Sequence, residues 1–295
     1  DARDRLGVEF AGLKFLWDNG IRNIPEPLAA DRENLWAVYE WVEGDGIDQD
    51  QVSEPDIDDA ADFLAKLRDL TGAESSEQQP PASEACFSVN QILANLQLRL
   101  KKLESGPENS SEAPGLNDFL AGELKPLLQS AENWCLDKYA GIGRSAEVEL
   151  PVAERTLSPS DFGFHNGLKR KSGQVVFVDF EYFGWDDPAK TVSDFLLHPA
   201  MNLTTNLKRR FSGEVYERFD NCGDLSARVS ALYPLFGLKW CLIILNEFLP
   251  EHLLRRDFAG VDRQNQTTSQ AFQLVKAQVM LARVRDEYEQ LPYNS

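Results

Sequence analysis

Three oxygen-bearing residues mark the chemistry this sequence can do: Asp161, Asn166 and Asp179. Asp161 and Asn166 stand five apart in Leu157-Ser158-Pro159-Ser160-Asp161-Phe162-Gly163-Phe164-His165-Asn166, whose Ser, Pro and Gly residues read as a loop. Asp179 comes thirteen residues after Asn166, at the end of the apolar run Val175-Val176-Phe177-Val178. That interval fits a hairpin: Gly167 to Arg170 runs out, Lys171-Ser172-Gly173 turns, and Gln174 to Val178 returns, bringing Asp179 beside Asn166. A carboxylate and an amide carbonyl on adjacent segments suit a hard cation such as Mg2+, which takes few protein ligands and completes its octahedron with water and phosphate oxygens. Asp161 is then left free as a base towards a hydroxyl. One base and two metal-holding oxygens are what phosphoryl transfer asks of a protein, because positioning and charge stabilisation carry that reaction.

The rest of the chain must hold those residues in place. Arg3 to Asn19 has a helical apolar period and ends at Asn19-Gly20. Ile24-Pro25-Glu26-Pro27-Leu28 is expected to be extended, and Leu35 to Val42 to form a strand closed by Gly44-Asp45-Gly46. Ile57 to Leu70 repeats Ala61, Leu64, Leu67 and Leu70 on one helical face, and the acids between Glu40 and Asp62 are read as a solvated surface. Gly72 to Ser88 and Ser105 to Pro114 have loop composition, are taken as flexible connectors and give no domain boundary. Helices are expected at Val89 to Leu103, Leu116 to Tyr139, Leu232 to Leu249 and Ser269 to Leu291.

The segment resembles the aminoglycoside phosphotransferase and choline kinase group of small-molecule kinases, whose motif reads H-G-D-x-x-x-x-N followed by a metal-binding Asp. The resemblance implies that Asp161 is the catalytic base and that Asn166 and Asp179 hold Mg2+ on ATP or GTP. Asp187-Pro188-Ala189 and Asp194 resemble the family's G-D-P-A-x-D-L run. Upstream, Glu9 with Leu13 to Leu16 resembles its helix C, which makes Glu9 a cofactor-side residue, and Trp36 to Gly44 resembles its hinge. The implied fold class is α+β, a protein kinase-like fold with a truncated N-terminal lobe (1–44) and a mainly helical C-terminal lobe (45–295) carrying the loop and hairpin at 157–181. The triplet Asp161-Phe162-Gly163 spells the metal-binding triplet of protein kinases, but Ala140 to Val148, where a base and an Asn would then stand, holds neither Asp nor Asn.

Two departures from the pattern matter. Pro159-Ser160 replaces the His-Gly before the catalytic Asp, so the loop must be stiffened otherwise, and only eight residues precede Glu9, so the Gly-rich loop and strand Lys either lie upstream of Asp1, the favoured expectation, or have been lost with half of the nucleotide clamp. A pseudokinase or metabolite-binding module is the competing reading. For the acceptor, Trp185, Trp240 and Glu247 are the expected pocket residues, with Glu247 meeting an ammonium or a sugar hydroxyl. His165 is read as a loop residue packing beside Asn166, and neither it nor His198 or His252 is expected to be catalytic.

Composition narrows the partners. With 48 Asp plus Glu against 30 Lys plus Arg the formal charge is -18, which argues against nucleic-acid binding. A content of 42% hydrophobic and 26% charged residues is that of a globular chain with a sizeable core. Four scattered cysteines without CxxC spacing, and no basic-then-apolar leader, fit a cytoplasmic protein with reduced thiols. Val229 to Leu249 is long and apolar, but Pro234, Lys239, Asn246 and Glu247 make it a core helix rather than a membrane span.

Overall fold

Asp4 opens the first helix, α1 (Arg5–Asp18), by accepting a hydrogen bond from the Gly7 N–H at 2.8 Å. The computed structural model describes residues 4–105, 113–219, 222–249 and 263–293, with the side chains of 263–268 outside the description. Gly20, at φ +87°, ends α1 where the sequence predicts. β1 (Pro27–Asp31) and β2 (Trp36–Tyr39) then form an antiparallel hairpin. The sequence indicates the second strand by composition and the first only as an extended segment ending at Leu28, because Ala29-Ala30 lacks β-branched residues. The turn depends on Asp31, whose carboxylate accepts from the N–H groups of Glu33 and Asn34.

α2 (Glu54–Asp69) starts three residues earlier than its apolar period, since Ser53 and Asp56 make a reciprocal capping box. Its apolar face buries Ile57, Ala60, Ala61, Phe63, Leu64 and Leu67. The acids on this helix are not simply solvated, as the sequence suggests. Asp58 receives a bidentate Arg210 at 2.7 Å and Asp62 receives Arg218 at 2.9 Å, both from α7 (Thr205–Arg218), and Asp56 receives Lys169 at 2.6 Å.

Contacts group the chain into two compact units: Asp1–Phe87 with Leu150–Val229 and Pro292–Ser295, and Ser88–Glu149 with Ser230–Leu291. This division differs from a boundary at residue 44, because the chain leaves the first unit at Ser88, returns at Leu150 and leaves again at Ser230. In the first unit, β3 (Asp45–Gly46), β5 (Gly167–Lys169) and β6 (Val175–Phe177) form one small sheet in the order β3-β5-β6. β4 (Thr156–Ser158) pairs antiparallel with β7 (Gly184–Asp186) in another, followed directly by α6 (Pro188–Leu197). The stretch before Ser88, read as a flexible connector, is instead pinned to β7. Ala82 N–H donates to Trp185 O at 2.8 Å, Trp185 N–H to Pro80 O at 2.8 Å, and Ser83 N–H to Tyr182 O at 3.0 Å. Gly184 permits that approach, since a Cβ there would lie 2.1 Å from the Pro80 carbonyl oxygen.

The second unit is helical: α3 (Val89–Ser105), α4 (Ala113–Phe119), a π turn at Leu120–Leu124, α5 (Lys125–Gly141), the larger part of α8 (Leu225–Ile244) and α9 (Arg263–Glu287). α8 and α9 come close at Gly237, where a Cβ would meet Val284 Cγ2 at 2.3 Å. Of the described helices, one stretch, Leu225–Phe248, is long and apolar enough to cross a membrane; its apolar window is 78% buried, as expected of a core helix. All four cysteines are buried.

Candidate functional site

β4 delivers the chain into the loop at Pro159, and β5 takes it away after Asn166. Between them Phe162 is buried against Phe63, Phe177 and Phe195, with ring centroids 5.8, 4.8 and 5.7 Å away. This anchor fixes the backbone on the C-terminal side of Asp161. On the N-terminal side Ser160 has φ 69°, a left-handed conformation that favours glycine. A glycine would take this conformation without strain; here a Ser takes it.

What holds Ser160 is a polar cluster that the sequence reading missed. Its N–H donates to Ser158 Oγ at 3.0 Å and its hydroxyl donates to Ser83 O at 3.0 Å. Lys190, 2% exposed, donates to Ser160 Oγ at 3.2 Å from α6 and is itself flanked by Asp186 at 2.7 Å and Asp194 at 3.2 Å. Burial alone would neutralise the ammonium; the two carboxylates outweigh it and hold the Lys190 pKa raised. A signal was present, since 186, 190 and 194 are spaced i, i+4, i+8 with alternating charge. Asp187 caps α6 by accepting from Ala189 N–H at 2.7 Å and pairs with the buried Arg228.

Asp161 is not free. His165 Nε2 lies 3.1 Å and His198 Nε2 3.4 Å from its Oδ1, and the two imidazoles stack with centroids 3.9 Å apart. Burial tends to raise the Asp161 pKa, but hydrogen bonds from the two histidines more than offset it, so the carboxyl is held well below the usual carboxylate range. Reading His165 as a loop packing residue was therefore incomplete, and His198 arrives from the end of α6, which no local spacing signals. His252 lies outside the described residues.

The hairpin forms as predicted. β5 pairs with β6 in the register Gly167↔Phe177, Arg170 and Gln174 close a turn containing Gly173 at φ +92°, and Val178 N–H donates to Asn166 O at 2.9 Å. Asn166 and the residue before Asp179 are thus hydrogen-bonded neighbours. Asn166 donates its Nδ2–H to Asp161 O at 3.0 Å, which leaves Oδ1 as the end that can face a cation. Asp179 has φ 65°, a conformation unusual for a residue other than glycine and one that recurs at functional sites. Partial burial, then Glu181 and Asp161, raise its pKa. Glu9 behaves alike: burial raises its pKa most, with Asp179 and Glu181 adding to it, while its carboxylate accepts from Phe180 N–H at 3.4 Å and Tyr39 OH at 3.2 Å. Asp179 and Glu9 thus oppose one another's ionisation, and carboxylates in that state are the kind of donor a divalent cation takes.

The expected acceptor residues belong to different units. Trp185 is in the first unit and donates its indole N–H to Ser76 O at 3.0 Å, packing under the segment that crosses β7. Trp240, on α8, and Glu247, in the 3-10 turn Leu245–Phe248, belong to the second unit; both are half-buried, and the Glu247 carbonyl accepts from Gln270 Nε2 at 3.1 Å. Within the first unit a cleft of about 290 Å³ is lined by Arg5, Ser83, Glu84, Glu181, Tyr182 and Phe183, among others, and Trp185 is not in its wall.

No protein-family profile matches the chain, and no curated protein matches it by sequence. Solved structures do match. Choline kinase from Cryptosporidium parvum superposes with a TM-score of 0.59 at 11% identity, covering 100% of this chain and 81% of its own. Spectinomycin phosphotransferase, in complex with ADP and spectinomycin, gives 0.57 at 10% identity over 93% of this chain and 82% of its own. An aminoglycoside phosphotransferase from Alicyclobacillus acidocaldarius gives 0.51 at 15% identity over 97% and 84%. The chain has the protein kinase-like fold of the aminoglycoside phosphotransferases and choline kinases.

Proposed function

We propose that this protein is an ATP- or GTP-dependent phosphotransferase that uses Mg2+ to phosphorylate a hydroxyl of a small molecule. The observation that carries the reading is the convergence of Asp161, Asn166 and Asp179 through one loop and one hairpin, in a fold whose solved examples include kinases of choline and of spectinomycin. In this reading Asp161 orients the acceptor hydroxyl and takes its proton as the oxygen bonds to the γ-phosphorus. The bond from that phosphorus to the β–γ bridging oxygen breaks, and the nucleoside diphosphate leaves with the electron pair. Asn166 Oδ1 and the Asp179 carboxylate hold Mg2+, which when bound neutralises charge developing on the phosphates. Glu9 steadies the segment after Asp179 through the Phe180 N–H. Trp185, Trp240 and Glu247 remain the proposed acceptor contacts, and Glu247→Gln is expected to raise KM for any acceptor found by ATP consumption.

The test of the metal assignment is thermal shift. ATP should stabilise the wild type only with Mg2+ present, and Asp179→Ala should lose that dependence; identical responses sink the assignment. Mg2+-dependent nucleotide binding with no turnover on any hydroxyl acceptor would instead make the protein a binding module, a reading favoured by the engagement of Glu9 with Tyr39 and Phe180.

A further inference from the structure

We infer that His198 and His165 are positioning residues that clamp Oδ1 of Asp161 between two imidazole N–H donors and leave Oδ2 for the substrate. The catalytic consequence rests on the phosphotransferase reading; the clamp does not. Both Nε2 atoms reach the same oxygen, and among the described residues no hydrogen bond reaches Oδ2.

The tautomers follow from the remaining contacts. His198 Nδ1 accepts from Ala200 N–H at 3.2 Å, so in the neutral ring the proton is on Nε2, facing Asp161. His165 Nδ1 is buried without a hydrogen-bond partner, pressed against Gly163, where a Cβ would come within 2.8 Å of it. A bare lone pair there costs less than a buried N–H without an acceptor, so His165 too carries its proton on Nε2. The parallel stacking, 3° between ring planes, lets two donors converge on one oxygen from adjacent layers.

The same three side chains have ligand atoms within 4.8 Å of one another, a spacing a transition metal accepts. One feature opposes that alternative. A metal-bound Nε2 must be unprotonated with the proton on Nδ1, yet His198 Nδ1 is an acceptor.

The experiment is a proton–nitrogen imidazole correlation spectrum of the whole protein, simple to assign because the chain holds three histidines. The expected result is Nε2–H tautomers for both His165 and His198. A Nδ1–H tautomer at His198 overturns the clamp, and so does loss of both Nε2–H signals on adding one equivalent of Zn2+. The kinetic arm uses slow hydrolysis of Mg2+-ATP, with water in place of the acceptor. His198→Ala should lower kcat about tenfold with KM for ATP unchanged, and His198→Gln, which keeps a donor, should recover most of it. An unchanged kcat in His198→Ala overturns the positioning role. A wild type that hydrolyses no ATP yet shows both Nε2–H tautomers supports the clamp and counts against the phosphotransferase reading.

Discussion

Around Asp161 the polar side chains are tied to one another: Ser158, Ser160 and Lys190 brace the backbone before it, and His165 and His198 hold its carboxylate. Around Asp179 the reverse holds. Its carboxyl and that of Glu9 have raised pKa values because burial and neighbouring acids oppose their ionisation, and among the described residues no Lys or Arg is paired with either. The protein thus organises Asp161 by its own hydrogen bonds and leaves the Asp179 half short of positive charge. A pre-set base needs no rearrangement when substrate arrives, whereas uncompensated carboxylates gain most when a cation does.

The largest expected effect comes from removing the brace. Lys190→Met leaves Asp186 and Asp194 buried without their cation and should destabilise the fold by about 3–5 kcal/mol, read by urea denaturation. Adding Asp186→Asn to that variant should return part of the loss. A cost under about 1 kcal/mol would mean that the cluster is not what holds the loop.

Asp161→Asn separates function from folding. The amide can keep a hydrogen bond to an imidazole but cannot take a proton, so the variant should fold while turnover falls about 10²- to 10⁴-fold. Some rate should survive, because the metal half is untouched. A loss below about threefold would remove Asp161 from the role of base.

Asp56→Asn probes the hairpin that carries Asp179 through its anchor, since Asp56 ties β5 to α2 by way of Lys169. Burial raises the Asp56 pKa, but Lys169 and Ser53 outweigh it and the net direction is down. A carboxyl lowered on folding contributes stability above its unfolded pKa and loses it as pH falls through its folded value. The variant should therefore lose about 1.5–3 kcal/mol at neutral pH, the range for a hydrogen bond to a charged group. Melting temperatures should show a constant gap down to about pH 5 that closes only below about pH 4.

How much of this was legible depends on whether the signal is local. Asp161, Asn166 and Asp179 are linked by one loop and one hairpin, so turn residues and strand length place them beside each other. The kinase-like fold was legible through the same motif. Lys190 was legible in principle from charges four apart, but Asp186 falls in β7 while Lys190 and Asp194 fall in a fully buried helix that reads as plain core. His198 and the 80–83 segment were not, since each meets the site through a return of the chain that carries no periodicity. Composition even pointed the other way for 72–88, where Pro and Ser suggest a free connector and main-chain hydrogen bonds to β7 pin it.

The smallest effect is expected at Ser160, and it sharpens the comparison because two terms of similar size oppose each other there. A left-handed φ of 69° costs a residue with a Cβ about 1–2 kcal/mol relative to glycine. Ser160→Gly removes that strain but adds about 0.5–1 kcal/mol of unfolded-chain entropy. It also takes away the hydroxyl that donates to Ser83 O and accepts from Lys190, contacts with a net value of about 0.5–1.5 kcal/mol each. The sum should leave Ser160→Gly only about 1 kcal/mol less stable than the wild type. Ser160→Ala keeps the strain and loses the hydroxyl, so it should be the less stable of the two variants in urea. If alanine is tolerated as well as glycine, the left-handed conformation is not what sets residue 160, and the brace on Asp161 acts through Lys190 and Ser83 alone.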